Sequence, residues 1–181
     1  MDKTIIDTLY EQNQTLDLFL EQHNEISLRE NADNGFRKTL LLSIASYFES
    51  DITESILSLV KTQTNHAEPL VLFIKNKAIE RQYHTYFDWN SKNANKFFSL
   101  FGSSFKQFMN KEINSNDQLA SSINSFIELG LIRNQLVHEN FAIFPLDKTV
   151  DEIFQLYRSA LIFVKVFPAM LQQYIEETNK I

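Results

Sequence analysis

The sequence predicts an all-α fold, a helical bundle of four main helices with several short ones. Among its 181 residues there are only three Gly and three Pro but 16 Phe, which excludes disorder and most turn-rich β architectures. Residues 151–180 carry apolar side chains at alternating spacings of four and three, and three other segments show an apolar helical stripe. At this length we expect one domain over residues 1–181, with a core of its own.

The first two main helices are predicted at about residues 3–23 and 36–61. The first is only weakly amphipathic, and its stripe consists of Ile5, Leu9, Leu16 and Leu20. The second has a clear stripe that we expect to face the core: Leu41, Ala45, Phe48, Ile52, Ile56 and Leu59.

The middle of the chain predicts short helices and one aromatic loop. Pro69 can begin a short helix, because a proline at the first helical position loses no hydrogen bond. The aromatic and polar residues 83–93 are predicted to form a loop packed on the bundle. Residues 93–109 predict one or two further short helices, interrupted near Gly102.

The third main helix is predicted from Asp117, as its cap, to Val137, and the fourth from about residue 151 to residue 180. Asp147 or Thr149 can cap the fourth helix, and Pro168 inside it is expected to produce a kink. Its regular apolar spacing predicts lengthwise packing on another helix through Ile153, Tyr157, Ala160, Val164, Phe167, Leu171 and Tyr174.

Composition excludes several functions. A net charge of −6 argues against a broad basic surface for nucleic acid, although a local basic cleft remains open. There is no Cys, no glycine-rich phosphate loop, and no pairing of the four His at metal-binding spacing. We therefore expect no metal and no cofactor. No long apolar run indicates a membrane span, so we expect a cytoplasmic protein.

One segment, IELGLIRNQLVHEN at residues 127–140, carries chemistry. Arg133 lies at the edge of an apolar stripe, where an arginine needs a partner or an anion. Asn134 and His138 are four residues apart and share a helix face. Arg133 lies about 140° around the helix from His138, so its side chain must curl round or meet the His of another chain. Gly130 would permit close approach of another helix.

This Arg-Asn-x-x-x-His motif at residues 133–138 resembles the Arg-polar-x-x-x-His motif of HEPN domains, small helical bundles that include metal-independent ribonucleases. The FDWNSKNANKFFSLFG segment (residues 87–102), the SYFES helix around Glu49 and the RNQLVHEN ending resemble the RiboL-PSP branch of that family. The resemblance covers roughly residues 37–174, and the first helix is its least supported part.

The resemblance implies a homodimer in which two motif helices face each other across a cleft and form one composite site. Arg133 would hold the RNA phosphate, His138 would act as general base or acid, and Asn134 would orient His138 or contact the phosphate. RNA would be cleaved through its own 2′-OH to a 2′,3′-cyclic phosphate, and DNA would resist. The implied role is a toxin or phage-defence effector, restrained by an antitoxin or another regulatory protein.

Other interpretations of these residues stay open. His138 could cap the helix end, and Arg133 could form a structural ion pair with Glu49 or Glu128. Glu49 is a candidate for supporting the site, and Asn140 could close the helix or contact RNA. Two further groups are either functional or structural. Aromatic residues could stack on bases or pack in the core (Tyr83, Tyr86, Trp89), and lysines could line a cleft or lie on a solvated face (Lys92, Lys96, Lys106, Lys111).

Two alternative functions follow. The chain could be a non-catalytic HEPN dimerisation or binding module for a partner protein, a nucleotide or RNA, a reading that its acidic charge favours. It could also be a plain helical structural domain with an accidental motif match.

Overall fold

The computed structural model describes residues 3–178, and in this part of the chain there is no strand. The helices are α1 (Ile5–Gln22), α2 (Ile26–Gln63), α3 (Glu68–Ile74), α4 (Tyr83–Tyr86), α5 (Asn95–Ser99), α6 (Ser103–Asn114), α7 (Asp117–His138) and α8 (Val150–Thr178). A π-helical segment, Lys75–Ile79, directly continues α3. The all-α prediction is confirmed.

Helix α8 lies at the centre of the bundle, where it packs against both α7 and α2, while α1 packs against α2. The predicted seam of α8 is buried from Ile153 to Leu171, and Tyr174 at its end is partly buried. By length and composition α8 could cross a membrane, since its most apolar stretch has a mean hydropathy of 1.3. In this structure the apolar face of α8 instead forms the middle of the hydrophobic core. Pro168 lies within the helix, which continues to Thr178.

Helix α2 begins at Ile26, well before the predicted start near residue 36. Its first turns carry no apolar stripe, so periodicity did not reveal them. Polar contacts hold them against α1: Arg29 binds both carboxylate oxygens of Asp17, at 2.6 and 2.7 Å, and Glu21 at 3.0 Å. A helix fixed by ion pairs to a neighbour leaves no apolar signature in the sequence.

Helix α1 presents the predicted face only in part: Leu20 is buried and Leu9 packs against the core. Ile5 and Leu16 are 60% and 46% exposed, whereas Asp7 is buried. Thr4 and Asp7 form a reciprocal cap at the helix start, and Arg158 of α8 donates to Asp7 at 3.1 Å. The orientation of α1 therefore follows from this polar network together with the apolar residues that reach the core, Ile6, Leu9 and Leu20.

The short elements agree with the sequence in outline. Pro69 lies in the first turn of α3, and Gly102, with φ +101°, separates α5 from α6. This φ lies outside the helical region, and glycine adopts it without the strain that other residues would suffer, so the chain can break between the two helices there. The segment predicted as a loop, residues 83–93, begins instead with the short helix α4 and becomes irregular after Tyr86.

The caps of the two long C-terminal helices are now defined. Asn116, not Asp117, caps α7, because its side chain accepts from Leu119 N at 3.0 Å. Thr149 caps α8: its hydroxyl accepts from Glu152 N, and the Glu152 carboxylate accepts from Thr149 N at 2.8 Å.

The loop between α7 and α8 is anchored by α2. The buried Lys38 donates through Nζ to the carbonyls of Phe141 at 2.8 Å and Ala142 at 3.3 Å. Arg37 donates to the carbonyl of Leu146 at 2.8 Å. Because this loop directly follows α7, these bonds fix the position of the motif-bearing end of that helix.

Candidate functional site

The last two turns of α7 form one wall of a cavity of about 360 Å³. Arg133, Asn134 and His138 all line it, as does Glu49 from α2. Trp89, in the loop after α4, also lines it. The structure thus brings the three predicted catalytic residues and one of the two supporting candidates to a single cavity.

Arg133 is half-buried, and its Nη1 donates to Asn134 Oδ1 at 3.2 Å. Within residues 3–178 its guanidinium forms no ion pair. Glu128 instead binds Lys148 at 2.7 Å, and Glu49 does not reach ion-pair distance. The structural ion pair considered for Arg133 is therefore not formed, and the guanidinium faces the cavity without a compensating carboxylate.

His138 is the last residue of α7, and its side chain is exposed. In the described part of the chain its ring makes no hydrogen bond, so it does not cap the carbonyls of its own helix. Asn134 lies one turn earlier, and its side-chain oxygen is used by Arg133 rather than by His138. The imidazole is consequently open to solvent and to a ligand.

Tyr83 provides a polar group on the inner side of the cavity. Its side chain is only 8% exposed, and its ring packs near Phe87 and Trp89, with centroids at 5.7 and 6.2 Å. Burial raises the pKa of Tyr83, the nearby Glu49 carboxylate raises it further, and Arg133 lowers it. The hydroxyl therefore lies within electrostatic reach of both charged groups. The sequence pattern predicted a role only for the aromatic ring of Tyr83, and not for this hydroxyl.

The close approach predicted at Gly130 is real, but its partner is a side chain and not a helix. A Cβ atom at residue 130 would lie 1.9 Å from Cζ3 of Trp89. The indole Nε1 of Trp89 donates to the carbonyl of His84 at 3.3 Å, which orients the ring. Of the three aromatic residues considered for base stacking, Tyr83 and Tyr86 are core residues, whereas Trp89 is half-exposed.

A second cleft, of about 470 Å³, lies on the other side of the motif. It shares Trp89, Asn134 and His138 with the first cavity and adds Lys96 from α5. The three shared residues thus line two adjoining recesses, and the second also contains Lys96 together with the carboxylates of Asp88 and Glu139.

Asn140 lines neither the 360 Å³ cavity nor the 470 Å³ cleft. Its Oδ1 accepts from Ala142 N at 3.0 Å, and its carbonyl accepts from Phe144 N at 2.9 Å. Asn140 therefore shapes the turn after α7, which is the structural alternative considered for it.

Within residues 3–178 no group of three or more His, Asp or Glu side chains is arranged to hold a metal ion. The chemistry available at this cavity comes from one guanidinium, one amide, two imidazoles (His138 and His84), one phenol and one carboxylate. Such a set can bind an anion and transfer protons.

The sequence matches the family model described as RiboL-PSP-HEPN over residues 7–173. The chain belongs to the RiboL-PSP-HEPN family. The match includes the motif and nearly all of the four long helices, so it confirms the resemblance and extends it into α1. The HEPN family consists of nuclease-like or nucleotide-binding modules. Among curated proteins and solved structures, none matches this HEPN chain significantly.

Proposed function

We propose that this HEPN protein is a metal-independent endoribonuclease that cleaves RNA through its 2′-OH and leaves a 2′,3′-cyclic phosphate. The observation that carries the proposal is the joint exposure of Arg133, Asn134 and His138 to one cavity. An arginine without a carboxylate partner beside an exposed histidine is suited to bind a phosphodiester and to move its protons.

Arg133 holds the scissile phosphate. Its planar fork can donate two hydrogen bonds to non-bridging oxygens, and its half-buried position strengthens the interaction with the charge that develops there. Asn134 accepts from Arg133 through Oδ1 and so fixes the guanidinium. The amide NH₂ group of Asn134 is left to donate to the same phosphate.

His138 transfers the protons. It takes the proton of the 2′-OH as the 2′-oxygen attacks phosphorus, and the bond from phosphorus to the 5′-oxygen breaks. The departing 5′-oxygen then receives a proton and becomes a 5′-OH. Because an imidazole can both accept and donate a proton, His138 can serve in either direction without a metal.

The active species is a homodimer in which the ends of two α7 helices meet. Apolar side chains near His138 in the chain are exposed in the single chain: Val137, Phe141 and Ile143 are 44%, 48% and 78% exposed. A second copy would cover these residues and would bring its own His138 to the site as the acid.

The biological role we propose is that of a toxin or phage-defence effector acting on cellular RNA in the cytoplasm. A ribonuclease of this kind must be restrained in its host, so we propose control by an antitoxin or another regulatory protein.

A second candidate is a non-catalytic HEPN binding module. A groove of about 810 Å³ between α1, α2 and the start of α8 is strongly acidic. It fits a cationic protein segment and repels RNA. It is lined by Arg29 and by six carboxylates: Asp17, Glu21, Glu25, Glu30, Asp33 and Asp151.

RNA cleavage in excess EDTA by the wild type and two histidine variants tests the proposal. We expect His138→Ala to lower the rate by about a hundredfold or more. His23→Ala is the matched control, because this exposed histidine lies at the end of α1. Equal cutting by wild type and His138→Ala would indicate a contaminant, and RNA binding without cutting would favour the binding module.

A further inference from the structure

The inner side of the 360 Å³ cavity carries two polar groups that have no partner in residues 3–178. The Tyr83 side chain is 8% exposed, and its hydroxyl makes no hydrogen bond in the described chain. The half-buried Glu49 carboxylate makes neither a hydrogen bond nor an ion pair there. Neither group is a fully buried unpartnered atom; both keep accessible surface on the cavity that they line. Their free hydrogen-bonding capacity is therefore available to water or to a ligand that enters the cavity.

Beside these two groups and the polar side chains of Arg133, Asn134, His84 and His138, the lining of the cavity is apolar and largely aromatic. Phe48, Phe126 and Leu129 are buried, and the half-exposed Trp89 lies at one side. The volume falls within the usual range of small-molecule pockets, which combine apolar walls with a few polar groups that fix orientation. A flat heteroaromatic ring with N–H donors on one edge meets both requirements.

We propose that this cavity is a nucleobase pocket that takes a guanine splayed out of single-stranded RNA, with Trp89 against the ring and Glu49 and Tyr83 at its hydrogen-bonding edge. The inference rests on the proposed function and names its substrate class. Guanine presents two adjacent donors, N1–H and the 2-amino group, which one carboxylate can accept together. Adenine, cytosine and uracil lack this donor pair.

The position of Arg133 connects the pocket to cleavage. Its guanidinium lies on the same cavity and within electrostatic reach of Tyr83. A base seated against Glu49 therefore places its own phosphate near Arg133 and His138. Cleavage is expected next to guanosine.

Binding of nucleoside 3′-monophosphates tests the pocket without relying on cleavage, because these probes contain no phosphodiester. Titration calorimetry should give the tightest binding for guanosine 3′-monophosphate among the four common nucleotides. Glu49→Gln should weaken that binding about fivefold or more and remove the preference. Tyr83→Phe, which removes only the hydroxyl, should weaken it less, and Glu54→Gln, an exposed carboxylate on the same helix, should leave it unchanged.

Two further readouts locate the ligand. Trp89 is the only tryptophan of the chain, so its fluorescence should change when guanosine 3′-monophosphate binds. Short single-stranded RNAs with and without one guanine, titrated into His138→Ala, distinguish a base within a strand from a free nucleotide. Binding of the free nucleotide but not of the guanine-containing strand would contradict recognition within RNA.

Equal affinity for all four nucleotides, no binding by the wild type, or full binding by a folded Glu49→Gln variant would overturn the pocket. Guanine-selective binding without any RNA cleavage would leave the pocket standing and refute the ribonuclease. RNA cleavage that shows no preference for guanosine and is unchanged in Glu49→Gln would refute the pocket and leave the ribonuclease standing.

Discussion

The six-membered ring of Trp89 lies directly against the Cα atom of Gly130. A methyl group at residue 130 would lie 1.9 Å from Cζ3 and 2.1 Å from Cε3 of this ring. The contact presses the loop after α4 onto α7 three residues before Arg133, and so closes one side of the cavity that holds the motif. Glycine inside a helix costs up to about 1 kcal/mol relative to alanine. At residue 130 this cost comes with a close contact to Trp89 that any residue with a Cβ atom would prevent.

The two helical glycines should therefore respond in opposite directions to alanine. Gly130→Ala must displace the Trp89 ring, and we expect the free energy of unfolding to fall by about 1–3 kcal/mol. Gly35→Ala in α2 meets nothing within 4 Å and should raise it by about 0.5–1 kcal/mol. Urea denaturation followed by circular dichroism measures both. A Gly130→Ala protein as stable as Gly35→Ala would show that Trp89 does not pack on α7.

Lys38→Met should weaken both the fold and the site. The substitution keeps the length of the side chain but removes the two bonds from Nζ to the carbonyls of Phe141 and Ala142. We expect a loss of about 2–3 kcal/mol in stability, because a charged donor at a buried position is removed and two carbonyls lose their partner. RNA cleavage should also fall, because the loop no longer holds the end of α7.

Lys61→Met serves as the control for that experiment, since Lys61 is exposed in the last turn of the same helix. Its stability should stay within about 0.5 kcal/mol of the wild type. If folded Lys38→Met protein, assayed well below its melting temperature, cleaved RNA at the wild-type rate, the loop anchor would have no role at the site.

The buried Asp7 should make stability depend on pH. Burial alone would raise the pKa of Asp7, but hydrogen bonds from Thr4 and the Arg158 guanidinium outweigh it, and the pKa is lowered from its ordinary 3.8. A carboxyl with a lowered folded-state pKa contributes stability above its unfolded pKa and loses it as pH falls through the folded value. Asp7→Asn should cost about 1–2 kcal/mol at pH 7, a difference that narrows below about pH 4.

Denaturation midpoints between neutral pH and pH 3 measure this dependence. Glu11→Gln removes an exposed ion pair with Lys3 and should change stability by less than about 0.5 kcal/mol throughout. A constant difference between wild type and Asp7→Asn down to pH 3 would contradict the role given to Arg158 and Thr4.

Val137→Glu should separate the proposed dimer. Val137 is 44% exposed beside His138, at the proposed two-fold interface. A glutamate there would be buried next to the same residue of the second copy, and the two carboxylates would repel each other. Val166→Glu places the same charge on a residue of α8 that is 38% exposed. Sedimentation velocity should show a dimer for the wild type and for Val166→Glu but a monomer for Val137→Glu. A monomeric wild type would refute the composite site.

The sequence predicted those parts of the fold that depend on apolar periodicity. The seam of α8 from Ile153 to Leu171 is buried as expected. The predicted ends of α7 agree closely with those observed, because the spacing of its apolar residues shows how far the helix continues. The start of α2 could not be predicted, because Arg29 secures it through ion pairs to α1. The predicted face of α1 was only half right for a related reason, since Asp7 takes part in the buried side through hydrogen bonds while Ile5 and Leu16 are exposed.

The candidate site divides in the same way. Asn134 and His138 were predicted to lie together because they are four residues apart on one helix, and Arg133 was added by the resemblance to the HEPN motif. The contact of Trp89 with Gly130 joins residues 41 positions apart through an irregular loop, and no periodicity reports it. The Tyr83 hydroxyl was missed because an aromatic-rich segment looks the same in sequence whether a phenol faces the core or a cavity.

The central claim is that Arg133, Asn134 and His138 cut RNA through its own 2′-OH without a metal, and the chemistry of the product ends tests it most directly. Total RNA and a DNA of matched sequence would be incubated in excess EDTA with wild type and with His138→Ala, and the new termini identified by mass spectrometry. The account predicts 2′,3′-cyclic phosphate and 5′-OH ends from RNA with the wild type, and no products from DNA or from His138→Ala. Products with 5′-phosphate ends, or cutting of the DNA, would contradict it.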